Sequence, residues 1–423
     1  MELAKELYAL FGCLLAAAIL VKNHYGERWR SRQREWSDAA ALLGGLPLVA
    51  TTLFLCGRNI VNPLPWDYPV FYAVARAVIT GQAFYKPDFY PDVLREAPTV
   101  AQIPDEIHRI VRFVYPPPTA LLMAPLGVFD YRTSLIAQYI VQGAFLLASA
   151  MLLHRLAPVG KGWRGFTETI ILMLAFLPVQ HAFANAQLAF GALLGVAVAL
   201  RTIDKDPAVA GIALAIGCLY KQLLLVVVPF AVCLRKLSAA VAFVGTMAAA
   251  GLASMLVLGV GVFSDFARYG QSYNPAQSYC GRNSSLFAML CGFVGLPGQN
   301  ISMMDALLLP RFVVLAGVLL LVTAVLSMRT SRTPASLYLK LSLVLSFSLL
   351  VFPCIGYYSI ALILPVLFIL YAYRDTLPIP AWMTIGFIAG QYALVVVPVV
   401  GGFAVVLSTW LVVATLLLFA GRW

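Results

Sequence analysis

Residues 21–57, VKNHYGERWRSRQREWSDAAALLGGLPLVATTLFLCG, decide how the rest of this sequence is interpreted. Their first half carries a dense cluster of Lys and Arg, and their second half, from Asp38 to Gly57, is an apolar run as long as a membrane helix. Similar runs recur along all 423 residues, of which 61% are hydrophobic and 11% charged. An average soluble domain has about 25% charged residues. We therefore predict a polytopic membrane protein of the all-α class, because lipid-exposed strands could not satisfy their backbone groups.

The basic cluster also predicts the orientation of the chain. Cytoplasmic loops carry an excess of Lys and Arg, so residues 3–37 are expected to be an extra N-terminal helix that starts outside and a basic cytoplasmic loop. That first helix is expected to be retained, since it has neither a basic start nor a small-residue cleavage site. The single membrane domain, residues 1–423, is then predicted to end inside. We expect about thirteen crossings, at residues 3–21, 38–57, 133–155, 166–183, 187–202, 207–220, 223–235, 238–262, 311–328, 336–353, 359–373, 378–398 and 402–421.

Two long segments, residues 58–132 and 263–310, remain on the outer side. Loops of this length are functional or disordered, and their aromatic residues and prolines favour ordered structure. Within the first segment, Pro69–Thr80 is predicted as a short helix on the membrane surface. Thr119–Phe129 is too short to span and is predicted as a re-entrant or surface helix. The YPPP element before it, residues 115–118, is stiffened by its prolines, so we expect a structural and not a chemical role for its tyrosine.

Polar side chains collect at the predicted outer ends of the helices. Asp67 is either a solvated acid or a general base partly desolvated by Trp66 and Tyr68. Lys221 lies between two apolar runs and either extends to the interface or contacts a phosphate.

Two further turns carry candidate residues. VQHAFANAQ contains His181, Asn185 and Gln187, and Asn185 has the alternative role of N-cap for the next helix. In CGRNSSLF, Arg282 and Asn283 either cap a helix or bind an anion at its N-terminus.

Several function classes have no support in the sequence. The net charge of +11 is scattered, which indicates topology and contact with the lipid bilayer and not nucleic acid as a partner. The chain has no Walker motif or HExxH, and its DKD, residues 204–206, falls in a predicted cytoplasmic turn. The seven cysteines show no metal-binding spacing, although Cys280 and Cys291 share one outer segment where a disulfide is an open alternative. No metal or other cofactor is therefore predicted.

The order of the motifs resembles that of glycosyltransferase family 87, membrane enzymes of the GT-C fold that include polyprenyl-phosphate-mannose-dependent mannosyltransferases. The matching features begin with Asp67 after an early span and continue with GQAFY, FVYPPPTALLMAPL, NAQLAFGALL, LYKQLLLVVVPF and NSSLFAML. They follow the family's order over about residues 38–375, most of the chain.

The resemblance implies inverting transfer of a sugar from a polyprenyl-phosphate donor to a hydroxyl of a lipid or glycan acceptor, on the outer face of a bacterial inner membrane. Asp67 would be the catalytic base, and Lys221 and Arg282 would contact the donor phosphate. The expected substrate-binding residues are Arg76, Tyr85, His181, Asn185, Gln187, Asn283, Tyr357 and Tyr358. Where family members carry a histidine before a tyrosine, this chain has FPCIGYYSIALILP, so the role of that histidine would either be dispensed with or be transferred to another residue such as His181.

Two other functions remain as alternatives. A transporter or flippase of polar lipids would place ionisable residues near the middle of the bilayer and show repeated halves, whereas few charges lie inside the predicted spans here. A membrane acyltransferase would use an outer histidine, and the predicted topology leaves His108 and His181 for that role.

Overall fold

The computed structural model describes residues 2–25, 31–61, 67–85, 113–272, 285–286, 289, 310–329, 334–352, 356–396 and 400–419. Throughout this part of the chain the regular structure is helical, which confirms the all-α prediction. Short 3-10 helices occur at Ala124–Val128, Gln222–Val226 and Tyr357–Ile363. The α-helices are α1 Glu2–Tyr25, α2 Ser31–Val61, α3 Tyr68–Thr80, α4 Pro117–Met123, α5 Tyr131–Leu156, α6 Gly162–Ala175, α7 Leu177–Ala184, α8 Ala189–Thr202, α9 Pro207–Tyr220, α10 Val227–Cys233, α11 Leu237–Leu258, α12 Val262–Ser272, α13 Pro310–Met328, α14 Pro334–Val351, α15 Leu364–Tyr373, α16 Ala381–Leu394 and α17 Val400–Phe419.

The longest apolar helices indicate a membrane protein. Of the helices in the described ranges, six are long and apolar enough to cross a membrane: α1, α2, α5, α11, α13 and α17. A seventh crossing results if α6 and α7, which meet at an angle of 72°, are counted as one. The other apolar helices found there have 10–17 residues, so thirteen full-length crossings are not confirmed.

A proline in the first turn of α7 explains why α6 does not continue into it. Pro178 has no N–H to donate, and in a continuous helix its ring would clash with the carbonyl of Leu174, four residues earlier. The Leu174 carbonyl instead accepts hydrogen bonds from Gln180 Nε2 at 2.9 Å and from the Tyr8 hydroxyl of α1 at 3.5 Å. The predicted continuous span, residues 166–183, is therefore broken.

Helix α3 confirms the helix predicted at this position, but its packing differs from that of a helix lying on a surface. Its residues Tyr68–Ala75 and Ala77 are buried inside the protein. The helix ends at Gly81, whose φ of 68° lies in the left-handed region that favours glycine. Gly127 packs directly on the backbone of Ala75, a contact that a Cβ would prevent. Helix α3 is thus enclosed on nearly all sides.

The two ends of the bundle differ in chemistry. Where α1 stops and α2 starts, Lys22 Nζ contacts the carboxylates of Asp38, at 2.6 Å, and Glu168. We call this the charged end. At the other end of α2, about 30 Å away, Asn59 Nδ2 donates to the Ala184 carbonyl at 2.7 Å. We call this second region the site end. Among the described residues, further ion pairs toward the charged end join Arg164 to Asp38, Arg374 to Asp375 and Lys236 to Asp204, and His24 Nδ1 lies 4.0 Å from a carboxylate oxygen of Asp375.

Helix α1 is an integral part of the bundle. Gly12 lies so close to α6 that a Cβ there would be 2.9 Å from the carbonyl oxygen of Ala175. Nearer the charged end, the Tyr371 hydroxyl of α15 donates to the Leu20 carbonyl at 3.3 Å. The extra N-terminal helix therefore contacts both α6 and α15.

We expect Gly211→Ala to weaken the packing of α9 on α11. A Cβ at Gly211 overlaps the carbonyl oxygen of Ala239, and backbone cannot yield without moving a whole helix. Overpacking of this kind costs about 1–3 kcal/mol, so the midpoint of thermal unfolding in detergent should fall. Gly245→Ala, on the partner helix α11, is the matched control because its Cβ meets no atom within 4 Å. Equal midpoints for the two variants would contradict this packing.

Candidate functional site

An acid, an amide and a lysine form a continuous chain at the site end. Gln187 Nε2 donates to Asp67 Oδ2, and Lys221 Nζ donates to Gln187 Oε1 at 3.1 Å. Since a carboxylate only accepts and an ammonium only donates, these partners fix the orientation of the Gln187 amide. Gln187 is 1% exposed and Lys221 6% exposed, while Asp67 is half-buried. Three predicted site residues thus come together, with acid and ammonium no more than about 8 Å apart.

Two tyrosines lie against the Nζ of Lys221. Its Nζ donates to the Tyr115 hydroxyl at 2.8 Å and lies 5.3 Å from the centroid of that ring. On the other side, Nζ lies 4.4 Å from the centroid of the Tyr358 ring, within cation–π range. A buried charge is costly unless polar groups compensate it. Lys221 is therefore held inside the protein and does not extend to the interface.

Irregular backbone at helix ends delivers these side chains. Lys221 follows the last residue of α9 in an extended conformation, with φ −146° and ψ 106°. Gln187 follows Ala186, whose positive φ of 47° turns the chain between α7 and α8. Gly191, in the first turn of α8, lets that helix approach the ring of Tyr220. The ends of α8 and α9 therefore bring Gln187 and Lys221 side by side.

His181 and Tyr357 pack against each other next to this chain. Their ring centroids are 4.8 Å apart with an interplanar angle of 81°, and the Tyr357 hydroxyl donates to the Val395 carbonyl. Gly356 is required here because a Cβ would collide with the folded-back ring of Tyr358. The predicted tyrosine pair thus contacts His181 with one ring and the lysine with the other.

Tyr85 is connected to the site by a hydrogen bond to the backbone of Tyr115. Its hydroxyl donates to the Tyr115 carbonyl at 2.7 Å. Burial raises the pKa of Tyr85, so this hydroxyl stays protonated and keeps donating. The Tyr85 ring packs on Phe266 and Tyr269 of α12, with centroids 5.3 and 5.9 Å apart. Helix α12 begins the segment predicted as the second outer loop and was not predicted.

Other predicted residues are engaged elsewhere or are not described. Arg76 donates to the Gly127 carbonyl at 3.1 Å. Asn185 donates to the His181 carbonyl at 2.9 Å as the C-cap of α7, so its alternative role as N-cap of α8 is wrong. The residues of the remaining predictions, Trp66, His108, Arg282, Asn283, Cys280 and Cys291, lie outside the described part of the chain.

Comparison with known proteins identifies the family. The model for glycosyltransferase family 87 matches residues 113–353, more than half of the chain. This chain belongs to glycosyltransferase family 87. The match includes Tyr115, Gln187 and Lys221, whereas Asp67 and Tyr358 lie outside it. No curated protein and no solved structure matches the chain.

In this glycosyltransferase, two amide side chains that sequence reasoning missed hold the turn that carries Gln187. Asn59 of α2 donates to the Ala184 carbonyl at 2.7 Å, and Gln138 of α5 donates to the Ala186 carbonyl at 3.3 Å. They are 1% and 2% exposed. The signal in the sequence is a lone amide within an apolar helix, which is costly in a membrane unless it has a partner.

Proposed function

We propose that this glycosyltransferase is an inverting enzyme of GT-C type. It transfers a sugar, mannose or another hexose or pentose, from a polyprenyl-phosphate donor to a hydroxyl of a lipid or glycan acceptor. The chain of Asp67, Gln187 and Lys221 carries this proposal, because it holds a base and a cation at a set short distance in a largely buried site. Asp67 takes the acceptor proton, and Lys221 stabilises the phosphate that leaves.

The spacing suits a single displacement. The acceptor oxygen forms a bond to one side of the anomeric carbon while the bond to the phosphate oxygen breaks on the other side. The phosphate oxygen keeps the electron pair, and the hydroxyl proton goes to Asp67. Inverting glycosidases keep their two carboxyl groups about 6.5–9.5 Å apart for a comparable reason, and Gln187 limits the distance from Asp67 to Lys221 to about 8 Å.

Other predicted residues remain candidates for contacts to the donor or the acceptor. They are Arg282 for the phosphate and Arg76, Tyr85, His181, Asn185, Asn283, Tyr357 and Tyr358 for the substrates.

Helix lengths support a site within the depth of the membrane. Helices α8 and α9 have 14 residues each, which is about 21 Å, and a charged turn joins them at the charged end. The hydrocarbon layer is about 30 Å thick. If its inner boundary lies at that turn, Gln187 and Lys221 are about 10 Å below its outer boundary. A charged side chain at that depth indicates function. A lipid-linked donor can enter such a site sideways from the bilayer.

The distribution of basic residues supports a site on the outer, periplasmic face of a bacterial inner membrane. Positive charge marks the cytoplasmic side of membrane proteins. In this chain the predicted inner linkers, which coincide with the charged end, contain Lys22, Arg155, Lys161, Arg164, Arg201, Lys205, Arg235, Lys236, Arg329 and Arg374. The acid–amide–lysine chain lies at the opposite end.

A transporter of polar lipids is the second candidate function. The break at Pro178 and the buried Lys221 favour it, because transporters place broken helices and ionisable groups around their substrates. A transporter breaks no glycosidic bond, so an assay in detergent separates the two functions.

Purified protein in detergent should transfer sugar from a synthetic polyprenyl-phosphate sugar to a component of a membrane lipid extract. We expect one polyprenyl phosphate to be released per sugar transferred, and NMR of the product should show inversion at the anomeric carbon. Nucleotide sugars, tested in parallel, should give no product. Retention of configuration, transfer from a nucleotide sugar or no product from any donor would contradict the proposal.

Cysteine labelling tests the orientation. Gln82, exposed after α3 at the site end, and Trp163, 76% exposed at the charged end, are each changed to Cys in a background with Cys280, Cys291 and Cys354 replaced by Ser. A membrane-impermeant maleimide applied to spheroplasts should label Gln82→Cys and not Trp163→Cys. The reverse pattern would place the site on the cytoplasmic face.

A further inference from the structure

We propose that Tyr115 is a positioning residue that acts through Lys221 on the donor phosphate. This inference rests on the proposed function, because it takes Lys221 as the phosphate-binding group. The YPPP element that contains Tyr115 has an ordinary structural explanation in the sequence. Its contacts give the tyrosine a more specific role.

The segment that carries the tyrosine is fastened to the turn that carries the lysine. We call residues 114–119 the tyrosine segment and residues 219–222 the lysine turn. Thr119 Oγ1 donates to a carbonyl of the lysine turn at 2.6 Å, and Gln222 Nε2 donates to a carbonyl of the tyrosine segment at 3.0 Å. Between these two hydrogen bonds, the tyrosine hydroxyl accepts from the lysine at 2.8 Å. The two stretches therefore form one unit.

Contacts on the far side keep Tyr115 in place. The Tyr85 hydroxyl donates to its carbonyl at 2.7 Å, and its ring packs on Phe71 and Phe113 with centroids 5.6 and 5.5 Å apart. The prolines that follow restrict the backbone. The tyrosine hydroxyl is therefore an acceptor in a fixed position.

Fixing Lys221 matters for the reaction. Lysine is a point charge on a flexible stem, whereas stabilisation of a developing charge is strongest when the donor is already in place. The Tyr115 hydroxyl holds Nζ from one side, and the Tyr358 ring, 4.4 Å from Nζ, confines it on the other. The leaving phosphate then meets an ammonium that needs little reorganisation.

A double-mutant cycle tests this role. Tyr115→Phe removes the hydroxyl and keeps the ring, and it should lower kcat about 10- to 100-fold because the lost hydrogen bond is to a charged group. In Tyr115→Phe/Lys221→Met, the loss should equal that of Lys221→Met alone, since residues that act as one unit are not additive. The dissociation constant of polyprenyl phosphate is measured for the same four proteins, because equilibrium binding does not depend on turnover.

Tyr371→Phe is the control, because it also removes a hydroxyl hydrogen bond, to the Leu20 carbonyl at the charged end. It should keep the activity of the wild type. Losses that multiply in the double variant, or full activity in Tyr115→Phe while Lys221→Met is impaired, would overturn the positioning role alone. Wild-type activity and donor affinity in Lys221→Met would overturn the phosphate assignment on which this inference rests.

Discussion

Asp67→Asn is expected to lose about 100- to 10,000-fold in kcat, the range that a general base contributes. Asparagine keeps the size of the side chain, and its Oδ1 can still accept from Gln187 Nε2, so the chain to Lys221 should persist. It cannot take a proton from the acceptor. Steady-state kinetics with a labelled polyprenyl-phosphate sugar should therefore show a large fall in kcat and a nearly unchanged KM for the donor.

Asp130→Asn is the matched control for this variant. Asp130 caps α5 at the site end, and a hydrogen bond from the Thr133 hydroxyl lowers the pKa of Asp130, so the substitution also removes a negative charge. Its activity should stay close to that of the wild type. A wild-type kcat in Asp67→Asn would show that another group is the base.

Lys221→Met is expected to lose about 100- to 1,000-fold in kcat/KM, comparable to removing one donor from a preorganised anion site. Methionine has a similar length and fills the space between the rings of Tyr115 and Tyr358 without a charge. The variant also removes the donor to Gln187 Oε1, so the acid should be held less firmly. Kinetics and equilibrium binding of polyprenyl phosphate measure the two effects separately.

Lys236→Met tests whether loss of any lysine produces this result. Lys236 Nζ pairs with Asp204 at 3.4 Å near the protein surface, and such pairs contribute little to stability. Its activity and donor affinity should not change. If Lys221→Met binds polyprenyl phosphate as tightly as Lys236→Met does, Lys221 is not the phosphate ligand.

Most helices could be located from the sequence because a helix that faces lipid is apolar along its whole length. The span predicted at 133–155 is observed as Tyr131–Leu156, and that at 311–328 as Pro310–Met328. Hydropathy shows how apolar a stretch of sequence is, but it does not show in which direction the helix axis runs. The bend between α6 and α7 was therefore not predicted, although Pro178 was visible as a helix breaker. The short helices α8 and α9 were located correctly, at 187–202 and 207–220.

The site could be predicted in part for a similar reason. Asp67, Gln187 and Lys221 stand out because polar groups are costly at the edge of apolar helices. Their mutual contacts join residues 120 and 34 positions apart in the chain, which no local pattern encodes. The hydrogen bond between Tyr115 and Lys221 was not predicted, because an aromatic residue before prolines has a sufficient structural explanation.

The sequence by itself determined the all-α class, the membrane location and the family of this protein. Hydropathy and motif order depend on the residues present and their sequence order, so they can be recognised without knowing which helices touch. Only the tertiary structure decided that Asp67, Gln187 and Lys221 form one chain of hydrogen bonds and that the Tyr115 hydroxyl accepts from the lysine. It also showed that Arg76 donates to the Gly127 carbonyl. The reason is that these contacts depend on how closely helices approach, which is set by the packing of individual small residues such as Gly191 and Gly127.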